Sequence, residues 1–267
     1  SQVDHVPDDR MVLAPSLTWR PSADTSLTLQ ALYQRDKSGS LIGFLPWQGT
    51  RLPSPYGRIP THTFISEPDW DRYDTRKRSI GYLFSHRLNA DWTVRQNLRR
   101  TVTDVDYRTL YTSFRANPAA GRPARPVFNA DNLTFPRDAS WQKNGGKMLL
   151  IDTQLEGHVR TGPVAHTLLA GLDVQRNSTT SSTWSALAPD INPYNPVYGN
   201  FTPPTSANLV AQPDVSQKQL GLYLQRISCA GATGPPRRAC AMTRSRPTPR
   251  AAPPRRWTTR PGPSASA

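Results

Sequence analysis

A strict two-residue repeat of apolar and polar side chains constrains this chain more than any other feature of its sequence. In the second repeat, Leu27 and Leu29 alternate with Thr28. Successive side chains of a β-strand point to opposite faces, so this period predicts strands with one apolar and one mostly polar face. The repeat predicts seven strands, over residues 11–20, 25–34, 78–87, 92–103, 148–160, 164–175 and 219–225.

The connections between these strands alternate between tight turns and long loops. The tight turns carry Pro, Gly, Asn or Asp, which supply the dihedral angles that turns require, and they lie at 21–24, 88–91 and 161–163. The long segments between the hairpins are 35–77, 112–147 and 176–215. Short turns at one end and long loops at the other are typical of outer-membrane barrels. The sequence therefore predicts an all-β fold, an antiparallel transmembrane β-barrel with long extracellular loops.

Composition agrees with a barrel but leaves an alternative open. The hydrophobic share is 36%, lower than the roughly 45–50% of soluble domains, which fits partial disorder, a well-hydrated β-rich protein or a transmembrane barrel with a polar interior. Charged residues on the polar face are predicted to line that interior and to pair across strands; they are Arg95, Arg99, Asp152, Glu156 and Asp173. A soluble all-β binding module with long insertions shows the same alternation and is the alternative.

The last 42 residues differ from the rest of the chain. Residues 226–267 contain nine Arg and neither Asp nor Glu, so they supply +9 of the formal net charge of +14. This Arg/Pro-rich tail has too few periodic apolar residues to fold alone, and we expect it to be disordered. A basic nucleic-acid-binding protein that acts through the tail is a further alternative. Residues 1–225 and 226–267 are accordingly treated as separate units.

The sequence offers no recognisable catalytic motif. It contains neither a G-x-S-x-G nucleophile elbow nor a phosphate-binding glycine loop. The histidines fall on separate predicted elements; they are His5, His62, His86, His158 and His166. We therefore predict that the chain is not an enzyme and that it has no metal site of its own.

Several short motifs of the sequence resemble motifs of TonB-dependent siderophore receptors of the hydroxamate (ferrichrome-type) branch. Residues 43–46 read GFLP and are followed by GT at 49–50, similar to the G-W-L-P…G-T loop of that branch. Two paired strands, GYLFSH at 81–86 and WTVRQNLR at 92–99, resemble its G-Y-S-F-x-H and F-T-V-R-Q-N-L-R strands. The resemblance continues in order through APSLTWRP, DTQL, HTLLAGLD, NPVY and GLYLQ, at 14–21, 152–155, 166–173, 195–198 and 221–225.

This resemblance implies a specific function and set of partners. Such receptors have a 22-stranded barrel with an N-terminal plug, and they import ferric siderophores with energy from the TonB complex. The resemblance implies that this chain is about seven strands of such a barrel, lying in outer-membrane lipid. The iron would be carried by the siderophore, so no protein cofactor is expected, and no nucleic acid is expected as a partner. The plug through which TonB acts is missing from the sequence.

The resemblance also carries over three substrate-binding positions. Phe44 stands where the family has a ligand-contacting Trp, Tyr111 matches a contacting Tyr, and Trp184 falls beside a further contact position in the next long loop. Other aromatic positions of the family are occupied by Ile42, Ser113 and Ser185, so the identity of the siderophore stays open. Loop packing or a place in the interfacial aromatic girdle is the alternative for all three.

The codons that can encode the tail, when read in a shifted frame, match the sequence expected for the same kind of receptor. Combining the last base of the Met242 codon with the first two of Thr243 gives GAC, an Asp codon. The neighbouring codons permit L-R-Y-D in that frame, and residues from 226 onwards permit D-Q-L-R-W-G-D-W, the expected continuation of Gln225. We therefore predict that the reading frame changes after residue 225.

Overall fold

The structure, a computed structural model, describes residues 2–40, 43–116, 121, 123–230 and 239–245, with side chains described except at 228–230 and 239–245. Ile42 therefore lies outside the described residues. The described chain forms one antiparallel sheet in the order β1-β3-β4-β5-β6-β7-β9-β10, with β2 paired to β3 and β8 to β7. The strands are β1 (Asp8–Leu13), β2 (Ser16–Trp19), β3 (Thr25–Ser38), β4 (Arg72–Arg87), β5 (Trp92–Thr112), β6 (Phe135–Thr161), β7 (Val164–Ile191), β8 (Val210–Ala211), β9 (Val215–Ala230) and β10 (Ala239–Ser245). The predicted all-β, antiparallel class is confirmed.

The predicted first strand is divided in two. β1 and β2 both pair with β3 and are separated by Ala14 and Pro15. Proline has no N–H to give to a ladder, so regular pairing stops there. The Pro15 carbonyl still accepts a hydrogen bond from the Ala31 N–H at 3.0 Å, which keeps the two pieces aligned along β3.

The tight turns are where the sequence predicts them. In the β4–β5 turn, the Asn89 Oδ1 accepts hydrogen bonds from the backbone N–H groups of Asp91 and Trp92, each at 2.9 Å. In the β6–β7 turn, Gly162 has a φ of 56°, a left-handed conformation that glycine adopts without steric cost. Each turn therefore contains the residue type that its geometry requires.

The strands are longer than predicted, and the loops are shorter. β5, β6 and β7 reach Thr112, Phe135 and Ile191, so the loops cover only 39–71, 113–134 and 192–209. The extensions are polar on both faces, as in KNGG at 143–146 and NSTTSS at 177–182. Apolar and polar side chains alternate in the sequence only where one face of the strand is apolar. The β6–β7 ladder continues as far as Arg137 and Ala188, although the sequence there shows no such alternation.

The sheet has one apolar face and one polar face. A single cross-strand row on the apolar face joins Leu29, Tyr82, Leu98, Ile151, Val174 and Leu220. Two residues further towards the long loops, the same face carries Arg100, Arg176 and Lys218 in one row with Ile80 and Leu149, so the continuous apolar band ends there. On the polar face, the Arg95 Nη1 lies 2.7 Å from the Glu156 Oε2, which confirms the predicted cross-strand pairing for that pair.

Pairing does not stop at the predicted boundary after Gln225. β9 runs on to Ala230, and β10 pairs with it from Ala239 to Ser245. These parts of the predicted tail are strands in the structure, because the β9 backbone continues its ladder with β7 as far as Ala230. The predictions for 231–238 and 246–267 lie outside the described residues.

The buried core lies beside the long loops rather than in the middle of the sheet. One cluster contains Trp70, Leu110, Ala139 and Trp141, and another contains Ile65, Phe135 and Ile191. In the first, loop 39–71 packs on the extended ends of β5, β6 and β7, and in the second it packs on the ends of β6 and β7. Within the described residues, no helix is long and apolar enough to cross a membrane.

Candidate ligand site at the loop end of the sheet

Two of the three predicted ligand-contacting residues meet at the loop end of the sheet. The Phe44 and Tyr111 rings have centroids 6.4 Å apart and an interplanar angle of 81°. Phe114 lies closer to Phe44, at 5.1 Å and 83°. Edge-to-face pairs of this kind are favourable because a positive ring edge meets a negative ring face. The three rings form one aromatic cluster, and Phe44 remains 49% exposed, so a ligand can reach it.

The Tyr111 side chain lies on the polar face of the sheet. Tyr111 and Arg95 are an even number of residues apart on β5, and the β5–β6 register shows no shift between them. The residue opposite Tyr111 is Asp138, which is buried and lies 2.9 Å from the Arg115 Nε. Burial, with a smaller contribution from the Asp138 carboxylate, raises the pKa of Tyr111. The phenol therefore stays protonated at neutral pH and can donate a hydrogen bond to a ligand.

The third predicted residue, Trp184, is not brought to this cluster. It lies within β7 rather than in a loop, and it pairs in register with Trp141, which pairs with Arg108. Because Arg108 and Tyr111 are three residues apart on β5, Trp184 is on the opposite face of the sheet. Its ring packs 6.4 Å from that of Trp70. A ligand contact by Trp184 stays a prediction, while its observed surroundings are those of packing.

A buried ion pair fastens the loop that carries Phe44. Arg137 is 1% exposed, and its Nη2 donates to the Glu67 Oε1 at 2.9 Å. The same guanidinium donates from Nη1 to the Ile65 carbonyl at 2.9 Å and from Nε to the Pro189 carbonyl at 2.8 Å. Burial lowers the pKa of Arg137, and the Glu67 carboxylate opposes this. Sequence reasoning missed Arg137, since no local pattern marks an arginine whose partners are 52 to 72 residues away.

Loops 39–71 and 192–209 are also joined directly. The Gly199 N–H donates to the Glu67 Oε2 at 2.8 Å, and the Tyr198 hydroxyl donates to the Phe64 carbonyl at 2.8 Å. The Thr63 Oγ1 donates to the Pro193 carbonyl at 3.0 Å. These bonds run from separate points of one loop to separate points of the other, so the two loops form one packed unit beside the aromatic cluster.

A cavity of about 520 Å³ opens beside Phe44. Its walls combine apolar side chains of Leu45, Phe64 and Ile65 with the hydroxyl groups of Ser40 and Ser66. Concave sites that mix apolar surface with a few polar groups bind small organic ligands. Within the part of the chain that the structure describes, no group of three or more His, Cys, Asp or Glu side chains could hold a metal ion.

The chain is similar to a known protein family and to several characterised proteins. Residues 18–226 match the family described as TonB dependent receptor-like, beta-barrel. The chain is 35% identical over 227 residues to the ferrioxamine B receptor of Salmonella typhimurium (strain SL1344), covering 84% of this chain and 30% of the receptor. It is 30% identical over 234 residues to the ferrichrome outer membrane transporter/phage receptor of Escherichia coli (strain K12), covering 82% and 30%. The chain thus spans less than a third of the length of these relatives.

Solved structures share the fold. The closed form of the ferric-catecholate import receptor Fiu from Escherichia coli K12 has a TM-score of 0.62 at 17% identity, covering 87% of this chain and 42% of Fiu. The siderophore receptor PiuA from Acinetobacter baumannii has a TM-score of 0.63 at 14% identity, covering 91% and 39%. At these identities the likeness concerns the fold alone.

Proposed function

Because the chain belongs to the TonB-dependent receptor β-barrel family, we propose that it forms part of the wall of an outer-membrane barrel that takes up a ferric siderophore. The apolar face would lie in outer-membrane lipid, and the polar face would line the interior. The long loops would be extracellular and the tight turns periplasmic, as in other such barrels.

The observation that carries this proposal is the meeting of Phe44 and Tyr111. The two residues are 67 positions apart in sequence and come from a loop and a strand end, yet their rings are in contact on the polar face. They lie beyond the row in which Arg100 ends the apolar band, which is where an extracellular mouth would be. An aromatic cluster beside a mixed cavity supports binding of an organic iron chelate.

The proposed ligand and partners follow from the chemistry of such a chelate. Iron would be enclosed by the siderophore, so the protein would contribute stacking and hydrogen bonds rather than metal ligands. Relatives named for ferrioxamine and ferrichrome favour a ferric trihydroxamate over other classes. Import would need a plug domain and the TonB complex, and we propose no enzymatic activity and no nucleic-acid partner.

We expect the chain by itself neither to insert nor to transport. The described sheet has unpaired edges at β1 and β10, and open edges are not tolerated in lipid because their backbone groups cannot find hydrogen-bond partners there. Siderophore-specific uptake by the purified chain in proteoliposomes would contradict this expectation.

The frame change after residue 225 remains part of the proposal. The family match ends at residue 226, one residue past the predicted change. Sequencing of the locus decides the matter, because an intact single frame through codon 226, verified in independent clones, would exclude a change there.

The ligand site is tested in a grafted receptor. This is the ferrioxamine B receptor of Salmonella typhimurium with its similar segment replaced by residues 2–226 of this chain. Phe44→Ala and Tyr111→Ala are each expected to weaken binding of a ferric trihydroxamate about tenfold, since each removes an aromatic contact. Tyr56→Ala, at an exposed aromatic of the same loop, is the matched control. Unchanged affinity in both test variants would refute the assignment of the site.

A further inference from the structure

The two ends of the loop that carries Phe44 are joined through one carboxylate group, that of Asp71. The Ser40 N–H donates to the Asp71 Oδ1 at 2.6 Å, so that Asp71 closes the neck of loop 39–71. The neck is tight, because a Cβ at Gly39 would lie 3.1 Å from the same Oδ1 and 3.3 Å from the Val6 Cγ1.

The Asp71 side chain is poorly placed to carry a charge. Its Oδ2 is buried and, within the described residues, has no hydrogen-bond partner. Burial raises the pKa of Asp71 to about 6, while the Ser66 and Thr109 hydroxyls and the Ser40 amide offset part of that effect. A buried carboxylate with one unsatisfied oxygen gains by taking a proton or by reaching water.

The other ionisable groups that face Asp71 are either neutral or held by partners of their own. From β5, Tyr107 lies close enough to interact electrostatically with Asp71, and burial raises the pKa of that phenol, which therefore stays neutral. From the loop, the Glu67 carboxylate is held by Arg137 and by the Gly199 N–H. Val6, Ser66 and Thr109 carry no charge. The state of the neck therefore follows the protonation of Asp71.

The neck is connected to both sides of the aromatic cluster. Phe44 is four residues beyond Ser40, and the Ser40 hydroxyl lies 3.3 Å from that of Tyr107. Tyr107 and Tyr111 are four residues apart on β5 and share the polar face. We propose that Asp71 is a positioning residue that closes the neck and so fixes Phe44 against Tyr111, and that the neck loosens when Asp71 is charged. This inference rests on the proposed ligand contact by Phe44.

The direction of the pH dependence of neck opening follows from its thermodynamic linkage to protonation of Asp71. A carboxyl group whose pKa is higher in the closed neck than in the open one stabilises the closed neck fully below pH 3.8, and that contribution is lost as pH rises through about 6. Between pH 5 and 7.5, a shift of this size changes the opening equilibrium about tenfold. Asp71→Asn keeps an oxygen for the Ser40 N–H and removes the charge, so its neck is expected to stay closed at both pH values.

Hydrogen exchange of the Ser40 amide measures the opening. It is compared in wild type, Asp71→Asn and the matched control Asp69→Asn, both in the 267-residue chain in detergent micelles and in the grafted receptor. Asp69 is an exposed carboxylate of the same segment. Intrinsic exchange rates cancel in the ratio of wild type to variant at each pH. That ratio is expected to rise about tenfold from pH 5 to 7.5 for Asp71→Asn and to stay constant for Asp69→Asn. A constant ratio for Asp71→Asn would overturn the proposal.

Binding of a ferric trihydroxamate to the grafted receptor tests the link to Phe44. The wild-type Kd is expected to increase from pH 5 to 7.5, whereas that of Asp71→Asn stays flat. Parallel pH profiles for the two proteins would overturn the positioning role even if the neck opens as expected. An absence of binding by both proteins at every pH would refute the proposed function instead, and the exchange result would still report on the neck.

Discussion

Arg137 and Glu67 form a buried ion pair, 2.9 Å between Nη2 and Oε1, that joins the start of β6 to the loop carrying Phe44. Both side chains are almost completely shielded from water, with exposures of 1% and 7%. Further hydrogen bonds join the pair to the backbone of loop 39–71 at Ile65, of the end of β7 at Pro189 and of loop 192–209 at Gly199. The pair therefore joins elements that are distant in sequence, and removing one partner leaves the other charge buried alone.

Arg137→Leu is expected to lower the free energy of unfolding by about 3–5 kcal/mol, because it leaves the Glu67 carboxylate uncompensated. The matched control is Arg10→Leu, which breaks the Arg10–Asp36 pair at 2.7 Å while Arg10 is 68% exposed. An exposed pair contributes only about 0–1 kcal/mol. Guanidinium titration of the grafted receptor in detergent micelles gives both values. Equal losses in the two variants would contradict the assignment.

Gly157→Ala is expected to destabilise the sheet by about 1–3 kcal/mol, because the added methyl group overlaps the ring of Trp92. A Cβ at residue 157 would lie 2.5 Å from the nearest atom of that indole. Gly221→Ala, on a neighbouring part of the same sheet, is the control, since its Cβ would meet nothing closer than 3.6 Å. The same titration compares them, and a larger loss at residue 221 would refute the packing argument.

Asp131 is expected to hold the end of loop 113–134 in a way that fails in acid. Its carboxylate accepts hydrogen bonds from the Thr134 hydroxyl at 2.6 Å and from the Leu133 and Thr134 N–H groups at 2.9 and 3.0 Å, and these bonds lower its pKa from 3.8. A lowered pKa means that the stabilisation is present above pH 3.8 and is lost as pH falls through the lower, folded-state value. Exchange of the Thr134 amide should therefore lose protection in strong acid in wild type. Asp131→Ala should lack this protection at every pH.

The elements that could be predicted from the sequence are those with one face in an apolar environment. Ile151 and Leu155 alternate with Asp152, Gln154 and Glu156 because their face of β6 is apolar, and this part of the strand is predictable for that reason. Lys143 and Asn144 continue the same strand with polar side chains on both faces. Only the ladder with β7 makes them a strand, and a ladder partner is not encoded locally. The predicted loops were too long for this reason.

The same limit applies to the candidate site. Phe44 and Tyr111 could be selected by family resemblance, and the structure brings their rings together. The resemblance gives no information on the face of β7 that Trp184 occupies. The sequence around Trp184 predicts a loop, so it does not define the strand register, and a register shift of one residue moves a side chain to the other face of the sheet. Asp71, Arg137 and Phe114 were not selected as site residues, since their roles depend on burial and on partners far away in sequence.

Phe114→Ala is expected to weaken binding of a ferric trihydroxamate to the grafted receptor by a factor of about 2–10, because an edge-to-face aromatic contact contributes about 0.5–1.5 kcal/mol. Phe114 is the ring closest to Phe44, at 5.1 Å, and it stands next to Ser113, where the family has an aromatic residue. Two effects are separable: loss of a direct contact with the ligand, and loss of support for Phe44. The double variant Phe44→Ala/Phe114→Ala distinguishes them, because a ring that acts only through Phe44 adds nothing once Phe44 is gone. Isothermal titration of the four proteins gives the coupling. Unchanged affinity in Phe114→Ala would show that, of the three rings in the cluster, only Phe44 and Tyr111 contribute to binding of the ligand.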